Sequence, residues 1–379
     1  MLPFKNLSYW EKETFLTDVD YLIIGSGIVG LSTAIHIKKK QPKKKVLVVE
    51  RGYLPSGASS KNAGFACIGS ASELLSDLEN GSESEVLTTV EKRWKGLLYM
   101  RKLLSDEAIN FHKYGSHELF LSKEKKEYSH CMEKLNYLNT TLEKITSIPR
   151  VFQTTHNQIS NSGVSGFEHA ISNAAEGQID TGKMMKTLVA LAYSMNVKIL
   201  NSVEVTKILK NEVTTSLGKI KFEKLAICVN GLAKQFLPKE DVSPARAQVI
   251  VTSPITDLKV KGIYHFDKGY YYFRNIGDRV LLGGGRNLNF KAEETDELNT
   301  SDQIINHLSS LLESNILPHS SFTIDHQWAG TMGVGKIKSP IVKHLKGNIY
   351  CGVRLGGMGV AIGTIVGKEL SELILESSS

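Results

Sequence analysis

A chain of 379 residues, 41% hydrophobic and 22% charged, has enough apolar sequence for one large core or two interleaved ones, which excludes a disordered chain. The formal net charge is +7, but the octet KKKQPKKK, Lys38 to Lys45, supplies six of the positive charges, so the basic balance is local and excludes a diffuse nucleic-acid surface. No run reaches the ~18 apolar residues of a membrane span; the opening MLPFKNLSYWEKETF lacks the apolar stretch of a secretory signal, so a cytoplasmic location is expected.

The first organised stretch is DYLIIGSGIVGLSTA, Asp20 to Ala34. YLII reads as a strand buried on both faces. Gly25-Ser26-Gly27-Ile28-Val29-Gly30 is a complete GxGxxG, and a helical pattern continues through Ile37. Gly25 suits a tight turn, Gly27 lets a pyrophosphate approach the backbone, and Gly30 lets helix and strand pack closely. The helix N-terminus, with Ser26 and Ile28, offers free N–H groups to phosphates. The lysine octet follows, at the end of the unit away from any ligand, and reads as a solvated helix end and loop. VLVVE then forms a second buried strand ending in Glu50, placed to accept hydrogen bonds from a ribose diol, with Arg51 beside it. Strand, glycine turn, helix, strand and acid in register point to a dinucleotide. A carboxylate at the ribose favours FAD or NAD over NADP.

Gly57 to Gly64, GASSKNAG, fits neither a helical stripe nor an alternating strand. Its small residues expose backbone amides, and Ser59, Ser60 and Asn62 add short donors and acceptors. A flavin, long and polar along one edge, needs such a segment; a nicotinamide does not. With Ala63 and Gly64, ASSKNAG resembles the flavin-holding segment of the FAD-dependent amine and amino-acid oxidoreductase family. The resemblance continues along most of the chain. GQIDTGKMMKTLVALAYSMNVKI, Gly177 to Ile199, resembles the family's lead into an amphipathic helix. SVEVTKI is similar to the strand whose valine, here Val205, meets the adenine end. KLAICVNGLA stands where the family has a strand followed by Ala-Gly or Thr-Gly; Asn230-Gly231 is a mild departure. GNIYCGVRLGGMGV is similar to the closing strand and turn, where Gly356, Gly357, Met358, Gly359 and Val360 meet the flavin's pyrimidine edge.

The resemblance implies an α/β fold: a Rossmann-type FAD-binding domain with an interleaved α+β substrate domain on a mostly antiparallel sheet. The expected FAD-binding segments are 18–75, 150–243 and 325–379, and the substrate domain takes 76–149 and 244–324. It also implies noncovalent FAD, since no cysteine stands where some members bond the flavin. Cys67, Cys131, Cys228 and Cys351 form no CxxC pair, so reduced thiols and no metal site are expected.

The implied reaction is oxidation of a CH–NH bond in a small amine or amino acid by hydride transfer to the flavin. A carboxylate-bearing substrate needs a cation and aromatic walls. Arg354 resembles the family's carboxylate-binding arginine. Tyr271 and Tyr272 alternate faces, so only one can meet the substrate. Arg274, Trp328 and His326 complete the candidates. Two departures stand out. Met332 replaces a second arginine, and Leu282 stands near a lysine that in one branch assists reaction with oxygen, so the electron acceptor stays open. Three alternatives remain: oxidation of a wobble-uridine side chain in tRNA, 2-hydroxy-acid dehydrogenation, and a flavin-binding partner subunit without turnover.

Overall fold

The computed structural model describes residues 7–17 and 19–376. The first six residues of the opening segment and the expected domain limits at 18 and 379 lie outside the described residues. Two large sheets organise the chain. The first has six strands in the order 341–346, 349–353, 224–227, 21–24, 46–49, 198–200. Tyr21–Ile24 runs parallel to both neighbours, and all pairs are parallel except the edge strand Ile341–Lys346. YLII and VLVV are buried throughout, as strands covered on both faces must be. Helices Ile28–Lys40, Thr181–Ser194 and Gly359–Glu376 pack on one face. The small sheet 205–221 covers the other. The helix crossing is close: a Cβ on Gly367 would lie 2.4 Å from Ser32 Cβ and 2.7 Å from Val29 O.

The second sheet has eight strands in the order 324–334, 243–252, 279–284, 271–276, 263–266, 116–121, 167–173, 152–154. It is antiparallel except where Ile263–Phe266 meets Ser116–Leu121. One face carries Tyr264, Phe266, Tyr271, Phe273 and Leu282 into a core under helix Asp302–Leu311. The opposite face looks toward the six-stranded sheet. At one end it is covered by helices Ala71–Asn80, Glu83–Leu104 and Lys125–Thr146.

This pairing divides the strands differently from the expected boundaries. Phe152–Thr154 and Phe167–Asn173 fall in the expected FAD-binding segment 150–243, and Ile324–Val334 spans the limit at 325. All three join the eight-stranded sheet. Sheet membership therefore changes after residue 173 and after residue 334. A strand's partner is a long-range property that local periodicity does not encode.

His117 shows how the apolar face responds to pH. It stacks near Tyr264, and its Nδ1 meets Ser172 Oγ at 2.7 Å. Burial, with the neighbouring His265 charge, holds it down to about 4 from an ordinary 6.5. A folded value below the unfolded one means this stability is complete above pH 6.5 and is lost as pH falls through 4. The contribution is up to about 3 kcal/mol. Urea unfolding at pH 7 and pH 4.5 should show a smaller pH-dependent loss in His117→Asn than in wild type.

Candidate functional site

The glycine turn is as tight as its spacing requires. Gly25 has φ +100°, and a Cβ there would lie 2.7 Å from Cys228 O. A Cβ on Gly30 would come within 1.9 Å of Gly25 O. Gly27 caps helix Ile28–Lys40 in an extended conformation and brings no side chain to it. Ser59 Oγ, from the small-residue segment, accepts Ile28 N–H at 3.0 Å instead. Glu50 lies beside this turn: one oxygen accepts from Ser26 N and Oγ, at 3.1 and 2.8 Å, the other from Gly52 N and Ser56 Oγ, at 2.9 and 3.0 Å. A helix N-terminus capped by glycine, next to a buried carboxylate, fits the pyrophosphate and ribose of FAD. Arg51 is exposed beside it. Val203 N donates to Glu50 O at 2.8 Å, and Val205, two residues on, is buried in the core behind.

The Gly57–Gly64 segment is more ordered than its composition suggests, since Ala58–Lys61 forms a single helical turn. Ser60 is exposed and donates to Gly57 O at 3.2 Å. Asn62 Oδ1 accepts from Gly64 N and Thr181 Oγ1, at 2.9 and 2.8 Å. The segment then lies on the eight-stranded sheet. Ala63 packs with Trp328; Trp328 Nε1 donates to Lys61 O at 2.9 Å; Arg274 Nη1 donates to Gly64 O and Ile179 O, at 3.1 and 2.7 Å. Arg274 Nε has no partner, and burial lowers the guanidinium to about 10. An unpaired donor beside this loop also suits a flavin's polar edge.

The closing turn meets the same place. Asn230, at φ +42°, accepts Leu355 N–H through Oδ1 at 3.1 Å. A Cβ on Gly231 would lie 2.5 Å from Met332 O. Gly356, at φ +57°, donates to Gly333 O at 2.9 Å. Gly357 and Met358 then lead into Gly359 and Val360, the first residues of the last helix. Met332 Sδ is 4.0 Å from the Cβ position of Gly357.

One register row of the eight-stranded sheet faces this site: Glu118, His265, Tyr272, Gly283, Val249, Trp328. Tyr272 sets its ring edge-on to Phe65 at 5.4 Å, and a Cβ on Gly283 would strike that ring. Burial pushes the Tyr272 phenol up to about 12. Tyr271 points the other way, stacked on Phe266 at 5.0 Å in the apolar core, so it leaves the set of substrate-facing candidates. Leu282 is in the same core, and Leu281 packs beside Trp328 and Ala63 instead. His326 is exposed.

Arg354, expected to meet a substrate carboxylate, has protein partners instead. Arg354 sits at φ +63°, buried, with Nη1 on Asp241 Oδ2 and Asp241 O, at 2.9 and 3.0 Å, and Nε on Ser339 O at 2.9 Å. Asp241 Oδ2 also accepts Lys336 N–H at 2.9 Å. Arg354 thus braces the loop after Val334. His265 escaped the candidates although Ile263–Phe266 alternates; with Tyr264 and Phe266 in the core, His265 had to face the site. Half of the lysine octet is spent on the protein itself, and Lys39, Lys40 and Lys43 are exposed. Lys38 donates to Pro42 O and Lys44 O, Lys44 pairs with Asp20, and Lys45 donates to Thr17 O.

Comparison with known proteins agrees with this geometry. Residues 20–373 match the family described as "FAD dependent oxidoreductase" (DAO). The chain is 22% identical to "Probable oxidoreductase OrdL" of Rhizobium meliloti, over 95% of this chain and 84% of that one. Among solved structures, L-proline dehydrogenase from P. horikoshii superposes with a TM-score of 0.74 at 18% identity, over 95% of this chain and 94% of that one. Glycine oxidase from Geobacillus kaustophilus gives 0.75 at 16% identity, over 94% of each chain. At such identity these likenesses establish the fold.

Two substitutions separate the roles assigned above. Glu50→Gln should weaken FAD binding roughly 10–100-fold, the worth of a charged hydrogen bond; flavin fluorescence titration of the folded variant checks this, and unchanged affinity would remove Glu50 from the ribose. Arg354→Met should lower the unfolding free energy by about 1–3 kcal/mol, read by urea denaturation. Wild-type stability with a raised KM would restore Arg354 as a substrate anchor.

Proposed function

The chain belongs to the FAD dependent oxidoreductase family, and from that premise we propose that it oxidises the CH–NH bond of a small amine or amino acid, with FAD held noncovalently. The supporting observation is the row His265–Tyr272–Gly283, which lies across from Phe65 and the Asn62–Gly64 loop. That arrangement sets aromatic rings next to the segment assigned to the flavin. Bound FAD supplies a two-electron acceptor for a hydride from carbon.

The chain's own residues supply position and environment. The turn from Gly25 to Gly30 and the start of helix Ile28–Lys40 take the pyrophosphate, and Glu50 takes the ribose. Asn62, Ala63 and Gly64 underlie the ring system. The positive end of helix Gly359–Glu376, approached through Gly356 to Met358, faces the edge where negative charge gathers. Phe65, Tyr272 and Trp328 wall the substrate and exclude water. Tyr272, protonated at neutral pH because burial raises it to about 12, is a hydrogen-bond donor to substrate. The free, buried cysteines fit a reducing compartment, and we place the reaction in the cytoplasm. Among the described residues no helix is long and apolar enough to cross a membrane.

Anaerobic addition of glycine, sarcosine, proline, D-amino acids, polyamine conjugates, 2-hydroxy acids and hypomodified tRNA to the yellow protein tests the reading. An amine or amino acid should bleach the flavin bands, and the rate of recovery in air identifies the electron acceptor. Tyr272→Phe should slow that bleaching about tenfold, one hydrogen bond's worth. Bleaching by a 2-hydroxy acid or tRNA alone, or by nothing, would overturn the assignment.

A further inference from the structure

The turn from Ile68 to Ser72 is ringed by acids. Glu176 Oε1 accepts from Ile68 N and Gly69 N, at 2.7 and 2.9 Å. Glu118 accepts from Ser70 Oγ at 2.8 Å and Ser72 N at 3.1 Å. Glu73 and Asp77, on helix Ala71–Asn80, share the Lys338 ammonium at 3.4 and 2.6 Å. Arg93 donates to Ile68 O at 2.8 Å. Four formal negative charges thus meet two positive ones, and counting Arg274, already tied to Gly64 O and Ile179 O, still leaves one in excess.

A second observation points to what completes this wall. His265 is 7% exposed, and its Nε2 has no hydrogen-bond partner. It stands in register between Glu118 and Tyr272. Its register partner Glu118 accepts from Ser72 N, the residue before Glu73. Burial works to raise the Glu73 carboxyl, yet the Lys338 and Arg93 charges bring it below its usual range. A buried ring nitrogen without a partner is destabilising. With the proton on Nδ1, Nε2 is an acceptor waiting for an N–H. Glu73 keeps 18% of its side-chain surface accessible and holds Lys338 only loosely, so it is the less committed of the two acids.

The same wall has little to offer a carboxylate. Arg354 is spent on Asp241, Met332 is apolar, Arg274 serves two carbonyls, and Lys338 is shared by two acids. We propose that the substrate is a cationic amine without an α-carboxylate, its ammonium taken by Glu73 and His265 Nε2 and its apolar part by Tyr272 and Phe65. This rests on the amine reading above and narrows it. The cation restores charge balance to the wall and gives His265 its missing donor. An α-carboxylate would meet that excess negative charge instead.

Benzylamine and benzoate have similar shape and opposite charge at neutral pH. Each is titrated into the FAD-loaded protein at constant ionic strength, following the flavin's visible spectrum and the Tm. Benzylamine should give a saturable change with a Kd at least tenfold below that of benzoate. Glu73→Gln should abolish that preference with FAD content unchanged. His265→Phe, which removes the acceptor but keeps an aromatic ring, should weaken benzylamine and leave benzoate alone. Benzoate binding as tightly as benzylamine, no response to either probe, or an unchanged preference in folded Glu73→Gln would each overturn the proposal. Binding is read without turnover. A flavin that no amine bleaches would therefore sink the oxidation reading while leaving this result to stand by itself.

Discussion

The guanidinium of Arg274 joins the two halves of the molecule. It leaves the eight-stranded sheet and donates to Gly64 O and Ile179 O, which flank the helix packed on the six-stranded sheet. Little else could do this. A lysine could not reach two carbonyls from one fixed plane, and a Cβ on Gly64 would lie 2.7 Å from Arg274 Nη1. Gly64 also needs its φ of +76°, a conformation that costs side-chain-bearing residues. Arginine and glycine therefore specify each other across more than two hundred residues of sequence. The floor of the site and its wall are held in register by that contact and by Trp328 on Lys61 O.

The legible part of the sequence is the part whose information is local. Strand, glycine turn, helix, strand and acid occupy Tyr21 to Glu50 in unbroken order, and each residue's job follows from its immediate neighbours. Tyr271 and Tyr272 could be assigned to opposite faces, but not told apart, because alternation gives parity without saying which face is inward. The sheet joined by Phe152–Thr154, Phe167–Asn173 and Ile324–Val334 depends on partners far along the chain. The acid that Arg354 meets was hidden for the same reason. The contact of Arg354 with Asp241 bridges 113 positions, and nothing near Arg354 in sequence announces an acid there.

Charge follows a similar pattern. The lysine octet dominates the sequence, yet half of its lysines cap their own loop or pair with Asp20 and Thr17. The charges that shape the site, Glu73, Glu118, Glu176, Arg93 and Lys338, are dispersed singly over more than two hundred residues and are unremarkable one by one. Folding concentrates them around one turn, where low dielectric makes each count for more than it would at the surface.

The loop after Val334 is held at three points. Lys336 N rests on Asp241, Ser339 O rests on the Arg354 brace, and between them Lys338 reaches Glu73 and Asp77. The two side-chain anchors differ in kind. Arg354 is buried, whereas the Lys338 side chain is about half exposed, at 52%, and exposed ion pairs contribute about 0–1 kcal/mol. The loop is therefore pinned on both sides of Lys338, at Lys336 N and Ser339 O, and the ammonium between them adds a tether whose strength falls as dissolved salt rises.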